Sequence, residues 1–359
     1  MSVIALVLVF LTFSISVFNF ITIRKPENDD LVSESVTVIV PMRNESENVA
    51  ECISALAGQS GIAELKVILV NDSSTDDTQA LIQRAIAGDS RFTVIDSPEL
   101  RTGWLGKVSA LQAGYEAAHS EFIVTIDADV RLNPKALARA INQLKDLKLD
   151  FVSPYPQQVA VTFAEKLIQP LLHWSWMSTV VLRLAEKYPV RSTAIANGQF
   201  FVVKTEAYIA SGGHKSIKGE VIDDMELAKS LKRNGFKGGV TNGSKIASCR
   251  MYQNWSQLRN GYQKSLWRAF KEIPNAIVLS LLLIVFFIYP VFEMIKGSLI
   301  GLVSYFLVVL SRMITAKLSR GNLLASFLHP LSILLFIYLL ITSWIQHSRG
   351  NLSWKGRKL

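Results

Sequence analysis

EFIVTIDADV, residues 121–130, is the stretch from which the fold is read. Phe122 to Ile126 is apolar or β-branched apart from Thr125, the pattern of a parallel strand buried on both faces. It runs directly into Asp127-Ala128-Asp129, and two carboxylates at i and i+2 beyond a strand end can both address one divalent cation. A hard, oxygen-liganded cation that also holds a diphosphate is the usual reason for acids at such a place. The plainer alternative is that one of them caps a helix beginning near Asn133-Pro134.

Upstream, strands and helices alternate. Ser35–Val40 (SVTVIV) is a strand ending at Pro41, followed by Arg43-Asn44-Glu45 and a helix from Val49 to Gly58. Leu65–Val70 is a second strand, ending in Asn71-Asp72-Ser73-Ser74. Phe92–Ile95 is a third, followed by a loop to Gly106-Lys107 and a helix through Ala118. Four such alternations predict a doubly wound, mostly parallel α/β sheet with its ligand at the carboxyl ends of the strands. Pro41, Arg43, Glu45, Asp72, Gly106, Lys107, Asp127 and Asp129 all fall there. Asp72 suits the hydroxyls or imide of a nucleoside, and Lys107 suits a phosphate; capping acids and a solvated lysine are the bland readings.

Half of the 359 residues are apolar, and the apolar surplus is concentrated at residues 3–23 and from 275 onward, as in a membrane protein with a soluble middle. Val3–Ile23 is long enough to span and is followed by Arg24-Lys25, which predicts an uncleaved anchor in residues 1–24 with its carboxyl end in the cytoplasm. Residues 275–292, 298–314 and 322–346 are further spans within a 274–346 membrane segment, the last broken at His329-Pro330. Residues 163–186 and 251–272 read as aromatic-rich amphipathic helices at the membrane surface, and 347–359 as a basic tail. Net charge of +9 suits phosphate-rich or anionic-membrane partners; no nucleic-acid motif appears. Cys52 and Cys249 lack any partner spacing and read as reduced core thiols.

Beyond residue 190, Ala194–Val203 (AIANGQFFVV) reads as another strand, with Gly198 permitting close backbone approach. Asp223-Asp224 opens a helix closed by Asn234-Gly235. Acids at a helix start favour the macrodipole whatever their function, and one of them, if exposed in the cleft, can serve as a general base.

In this order, VIVPMRNE, LVNDSSTDDT, GWLGKVSALQAG, IDADV and VIDDMELAKSLKRNGF resemble the motifs of the inverting, nucleotide-sugar-dependent glycosyltransferases of family 2, with the GT-A fold, over residues 35–250 as the catalytic domain and onward to about 270. The anchor, GWLGK, the 261–267 helix and the terminal WKGR are similar to the membrane-bound lipid-acceptor type: carotenoid-acid (diaponeurosporenoate), hopanoid-associated and ceramide glycosyltransferases. The resemblance implies a UDP- or GDP-linked sugar donor, a lipid acceptor, Mg2+ or Mn2+ on Asp129 with Asp127 supporting, and Asp224 as base with Asp223 beside it. It implies a multi-pass protein of the cell membrane with its catalytic domain cytoplasmic. Gln263, Trp267, Trp354 and Arg357 match an acceptor or diphosphate region, but Leu266 stands where related polysaccharide synthases carry arginine, which argues against processive synthesis. A polyprenyl-phosphate sugar synthase and an inactive membrane scaffold of the same fold are the competing readings.

Overall fold

The computed structural model describes residues 2–100, 102–270 and 272–358. They divide into two units, Arg24–Gln157 with Leu184–Cys249, and Met1–Ile23 with Gln158–Arg183 and Arg250–Leu359.

The first unit is built on strands β1 (Val32–Met42), β2 (Ile62–Asn71), β3 (Phe92–Asp96), β4 (Phe122–Ile126), β5 (Val130–Leu132), β6 (Phe151–Tyr155), β7 (Gln157–Gln158), β8 (Phe200–Lys204), β9 (Gly238–Asn242) and β10 (Ala247–Cys249). Seven of them form one sheet in the order β3-β2-β1-β4-β8-β6-β9. β3, β2, β1 and β4 are parallel, whereas β8 runs antiparallel to both β4 and β6, so the sheet is mixed. The alternation of β1 explains its burial: Val36, Val38 and Val40 enter one core while Ile39 enters the core on the opposite face. In β4, Phe122, Val124 and Ile126 join the first core and Ile123 the second, which is why that run carries no polar alternation.

Two boundaries differ from the sequence reading. Ala194–Val203 is not one strand: only Phe200–Lys204 is extended and paired, and residues 194–199 leave the sheet. Asn197 and Ser153 exchange hydrogen bonds (2.8 and 3.1 Å), and the Gly198 N–H is spent on a side chain described below, so neither joins a ladder. Likewise the helix expected near Asn133 begins at Ala136, because Val130–Leu132 first pairs antiparallel with Ala247–Cys249.

The second unit contains four helices long and apolar enough to cross a membrane: Ser2–Thr22, Ile273–Ile295, Leu299–Leu318 and Leu324–Ser348. In the second, the backbone widens to a π turn at Ile284–Ile288 just ahead of Pro290, which has no N–H to donate. Pro330 sits in the first turn of His329–Ser348, after a 3-10 turn at Leu324–Leu328, where a missing N–H costs nothing. Residues 163–186 are not a single helix. Phe163–Thr179 stops, and Leu182–Lys187 starts anew, because Asn19 takes the break in hand: its amide donates to Met177 O (2.9 Å) and Val180 O (2.7 Å), and its oxygen accepts from Leu182 N (3.0 Å). Trp174 on that helix is buried edge-on to Phe287, its Nε1 donating to Ser311 Oγ at 2.8 Å.

Candidate active site

The carboxyl ends of β1, β2 and β4 meet at one edge of the sheet. Backbone pairing fixes it: Asp72 N donates to Met42 O (2.7 Å), which brings the end of β2 against that of β1. Asp72 is buried there, and the Arg43 guanidinium donates to the carbonyls of Asp72 (2.7 Å) and Ser73 (2.9 Å), clamping the two loops together. Arg43 thus braces the turn. Pro41 lies opposite Val70, in register at the end of β1. Glu45 accepts from Asn48 Nδ2 at 2.9 Å in the following loop.

Past β4, Asp127 and Asp129 take up different environments. Asp127 forms an ion pair with Lys107 Nζ at 2.7 Å, and the same ammonium lies 3.6 Å from the Asp223 carboxylate. Lys107 is delivered by the first turn of the helix Gly106–Glu116, Asp223 by the first residue of the helix Asp223–Arg233. Burial alone would lower the lysine, but Asp127 and Asp223 outweigh it and hold Lys107 firmly protonated. Asp223 therefore does more than favour a helix start; it is buried and faces a cation from another element.

Asp224 accepts two backbone N–H bonds, from Gly198 at 2.6 Å and Met225 at 2.7 Å. Gly198 is the hinge of this arrangement. A Cβ there would sit 3.3 Å from Lys107 Nζ and 3.4 Å from Asp224 Cβ, so glycine lets the loop pass between the two functional side chains. Burial, then the neighbouring Asp223, raises the Asp224 carboxyl to about 6 despite Lys107 and the two N–H donors.

Asp129 is raised to about 6 as well, by burial first and then by Asp127 and Glu45. Its Oδ1 is buried with no hydrogen-bond partner among the described residues. A carboxylate that is shielded, repelled by two acids and bonded by the Cys249 thiol while Oδ1 has no donor among the described residues is suited to a cation. Among the described residues no group of three or more His, Cys, Asp or Glu is assembled, so the chain offers the Asp127/Asp129 pair and leaves the rest of a coordination sphere to ligand oxygens. The thiol of Cys249 stands beside Asp129, pushed well up by burial and then by that carboxylate, and receives a bond from Gln199 Nε2 (3.0 Å).

The structure thus brings Pro41, Arg43, Glu45, Asp72, Gly106, Lys107, Asp127, Asp129, Asp223 and Asp224 into the first unit. Gln263, Trp267, Trp354 and Arg357 belong to the second. There Trp267 N donates to Ser343 Oγ (2.9 Å), whose hydroxyl donates to Gln263 O, and the Trp267 ring stacks on His347 at 3.6 Å. The Trp354 side chain lies outside the described residues, while its backbone pairs with Arg357. Gln199 and Cys249 were not singled out from sequence. Cys249 reaches Asp129 only through the β5–β10 pairing, which no local signal announces.

Residues 37–208 match the family described as Glycosyl transferase family 2. The chain is 28% identical over 345 residues to the 4,4'-diaponeurosporenoate glycosyltransferase of Staphylococcus aureus strain MRSA252, an alignment covering 90% of this chain and 88% of that one. It is 27% identical over the same length to the protein of that name from strain USA300. Among solved structures, a mannosyltransferase from Pyrobaculum calidifontis in complex with GDP-Man and Mn2+ is similar with a TM-score of 0.56 at 18% identity, over 97% of this chain and 98% of that chain. The chain carries a glycosyl transferase family 2 domain of GT-A fold, and it is a glycosyltransferase.

Proposed function

We propose that this glycosyltransferase moves a sugar from a nucleotide diphosphate sugar to an apolar, carboxyl-bearing lipid of the carotenoid-acid kind, with inversion and with the help of Mg2+ or Mn2+. The observation that carries the reading is the Lys107 ammonium held between Asp127 and Asp223 beside an unpartnered, buried Asp129 oxygen. Such a site can accept a cation and a diphosphate together. The diaponeurosporenoate relatives and the apolar helices support the lipid acceptor.

Asp129, with Asp127, would hold the divalent ion, which supplies charge neutralisation for a diphosphate leaving group. Asp72 faces the nucleoside, and Arg43 keeps its turn rigid. Lys107 contributes a fixed positive charge next to the phosphates and ties Asp127 and Asp223 together through its ion pairs. Asp224, oriented by Gly198 and Met225, takes the proton of a hydroxyl acceptor; a carboxylate acceptor arrives ionised, and Asp224 then only positions it. A single in-line displacement inverts the anomeric carbon. The basic residues Arg24 and Lys25 after the first span, with Lys317 in the last turn of the third and Arg320 after it, favour a cytoplasmic catalytic domain. Incubating the purified full chain with UDP- and GDP-sugars, Mn2+ and a carotenoid acid tests this by mass spectrometry of the lipid product. A glycosyl ester is expected; hydrolysis of donor with no lipid product in any combination would contradict it.

A further inference from the structure

Arg312 lies inside the helix Leu299–Leu318, six residues or about 9 Å before its end, and is only 2% exposed. It makes no hydrogen bond or ion pair with any described residue, and its Nη1 is fully enclosed. Its guanidinium lies over the face of Trp174, 6.0 Å from the ring centre. The same indole lies edge-on to His329 at 4.8 Å, and both ring nitrogens of His329 are buried without a partner. Phe287 closes the cluster, 5.2 Å from both rings.

A cation–π contact offsets only a small part of what it costs to bury an ion without its counterion. No acid of this unit supplies one. Its acids are Glu165, Glu272 and Glu293. Glu165 is committed to Val161 N and Thr162 Oγ1 (2.7 Å each), Glu293 pairs with Lys296 at 3.8 Å, and Glu272 is exposed. Ionisable side chains within membrane helices mark ligand paths because only function repays their cost. One guanidinium and one imidazole against the same indole ring match a monoanion, and the planar fork of arginine matches a carboxylate. Trp174 and Phe287 offer the same ligand an apolar wall.

We propose that Arg312, with His329, binds the carboxylate headgroup of an apolar lipid acid inside the second unit. The inference rests on the lipid-acid reading above for the identity of the ligand, but not for the site itself. Arg312 is here a binding residue.

The test is equilibrium binding of parinaric acid, a fluorescent polyene carboxylic acid, and of its methyl ester to the full chain in phosphatidylcholine nanodiscs, with no nucleotide sugar present. The acid should bind about ten- to a hundred-fold more tightly than the ester, the worth of one charge-assisted pair. Arg312→Met should erase that preference and Arg312→Lys retain part of it, which separates loss of charge from loss of fold. Equal binding of acid and ester by the natural chain, or an undiminished preference in Arg312→Met, overturns the proposal. Displacement of the acid by phosphatidylglycerol, as effectively as by unlabelled acid, would show a general anionic-phospholipid site and overturn the assignment to a lipid acid. Because no transfer is measured, an inactive enzyme that still discriminates acid from ester would count against the proposed reaction and not against this site.

Discussion

Gly198→Ala should cost activity without costing the fold. The added Cβ would stand 3.3 Å from Lys107 Nζ, 3.4 Å from Asp224 Cβ and 3.6 Å from Asp224 Oδ2. The first two distances are at or inside normal van der Waals contact, so the ammonium or the loop must yield by a few tenths of an ångström. What yields is functional: Lys107 holds Asp127 at 2.7 Å, and Gly198 N holds Asp224 at 2.6 Å. Misplacement by about 1 Å costs about 10²-fold in rate, so a few tenths should cost roughly tenfold in kcat/KM. Stability should barely change, since the nearest contact is the far end of the Lys107 side chain and alanine restricts the unfolded chain, an effect of about 0.4–1 kcal/mol in its favour. The assay pairs steady-state transfer kinetics with thermal unfolding of the same preparation; Tm should stay within about 2 °C. Gly198→Val should be more severe, by about 10²-fold. Full activity in Gly198→Val would refute the idea that this loop sets the Lys107–Asp224 geometry, and an unfolded Gly198→Ala would refute the view that the position is functional and not structural.

Asp129→Asn removes a carboxylate whose ionised form burial disfavours, so the metal-free variant should melt no lower than the natural chain at pH 7.5. Mn2+ should raise the Tm of the natural chain only. Protons compete with the cation at that carboxyl, so Mn2+ affinity followed by calorimetry should be constant above neutral pH and weaken as pH falls through about 6. With a hydroxyl-bearing acceptor, the rate should rise with pH through about 6 as Asp224 loses its proton, and Asp224→Asn should be about 10²–10⁴-fold slower; with a carboxylate acceptor the same variant should lose only a few-fold. Gly114→Ala puts a Cβ 2.3 Å from Ile39 Cγ2 and 3.2 Å from Val70 Cγ2 behind the sheet, so it should cost about 1–3 kcal/mol in denaturant unfolding while leaving kcat per folded molecule intact.

The sheet was legible because its strands are buried on both faces. Runs such as VTVIV and FIVTI have no other stable home, and the polar turns that end them lie at the edge where the site forms. The acids were legible for the same reason: Asp72, Asp127 and Asp129 each follow such a run. The misread stretch was Ala194–Val203, where an apolar pattern continues through Asn197 and Gly198. What removes those two residues from the sheet is partners far away in sequence, Ser153 and Asp224. The surroundings of Asp223 were illegible for a similar reason. A helix start suffices to explain an acid, and only the fold shows that Lys107 is within 3.6 Å of it. The 163–186 break was invisible because the residue that causes it, Asn19, looks in sequence like a polar interruption of an apolar anchor.

The central claim is transfer from a nucleotide diphosphate sugar to a lipid carboxylate in one inverting step at the Lys107–Asp127–Asp129–Asp224 site. It is tested most directly by the anomeric configuration of the glycosyl ester formed by the purified chain from an α-linked nucleotide sugar and a carotenoid acid, read by proton NMR. A β-linked ester is expected, and its formation should stop in chelator and in Asp129→Ala. An α-linked ester, or a β-linked ester formed at full rate by Asp129→Ala, would contradict it.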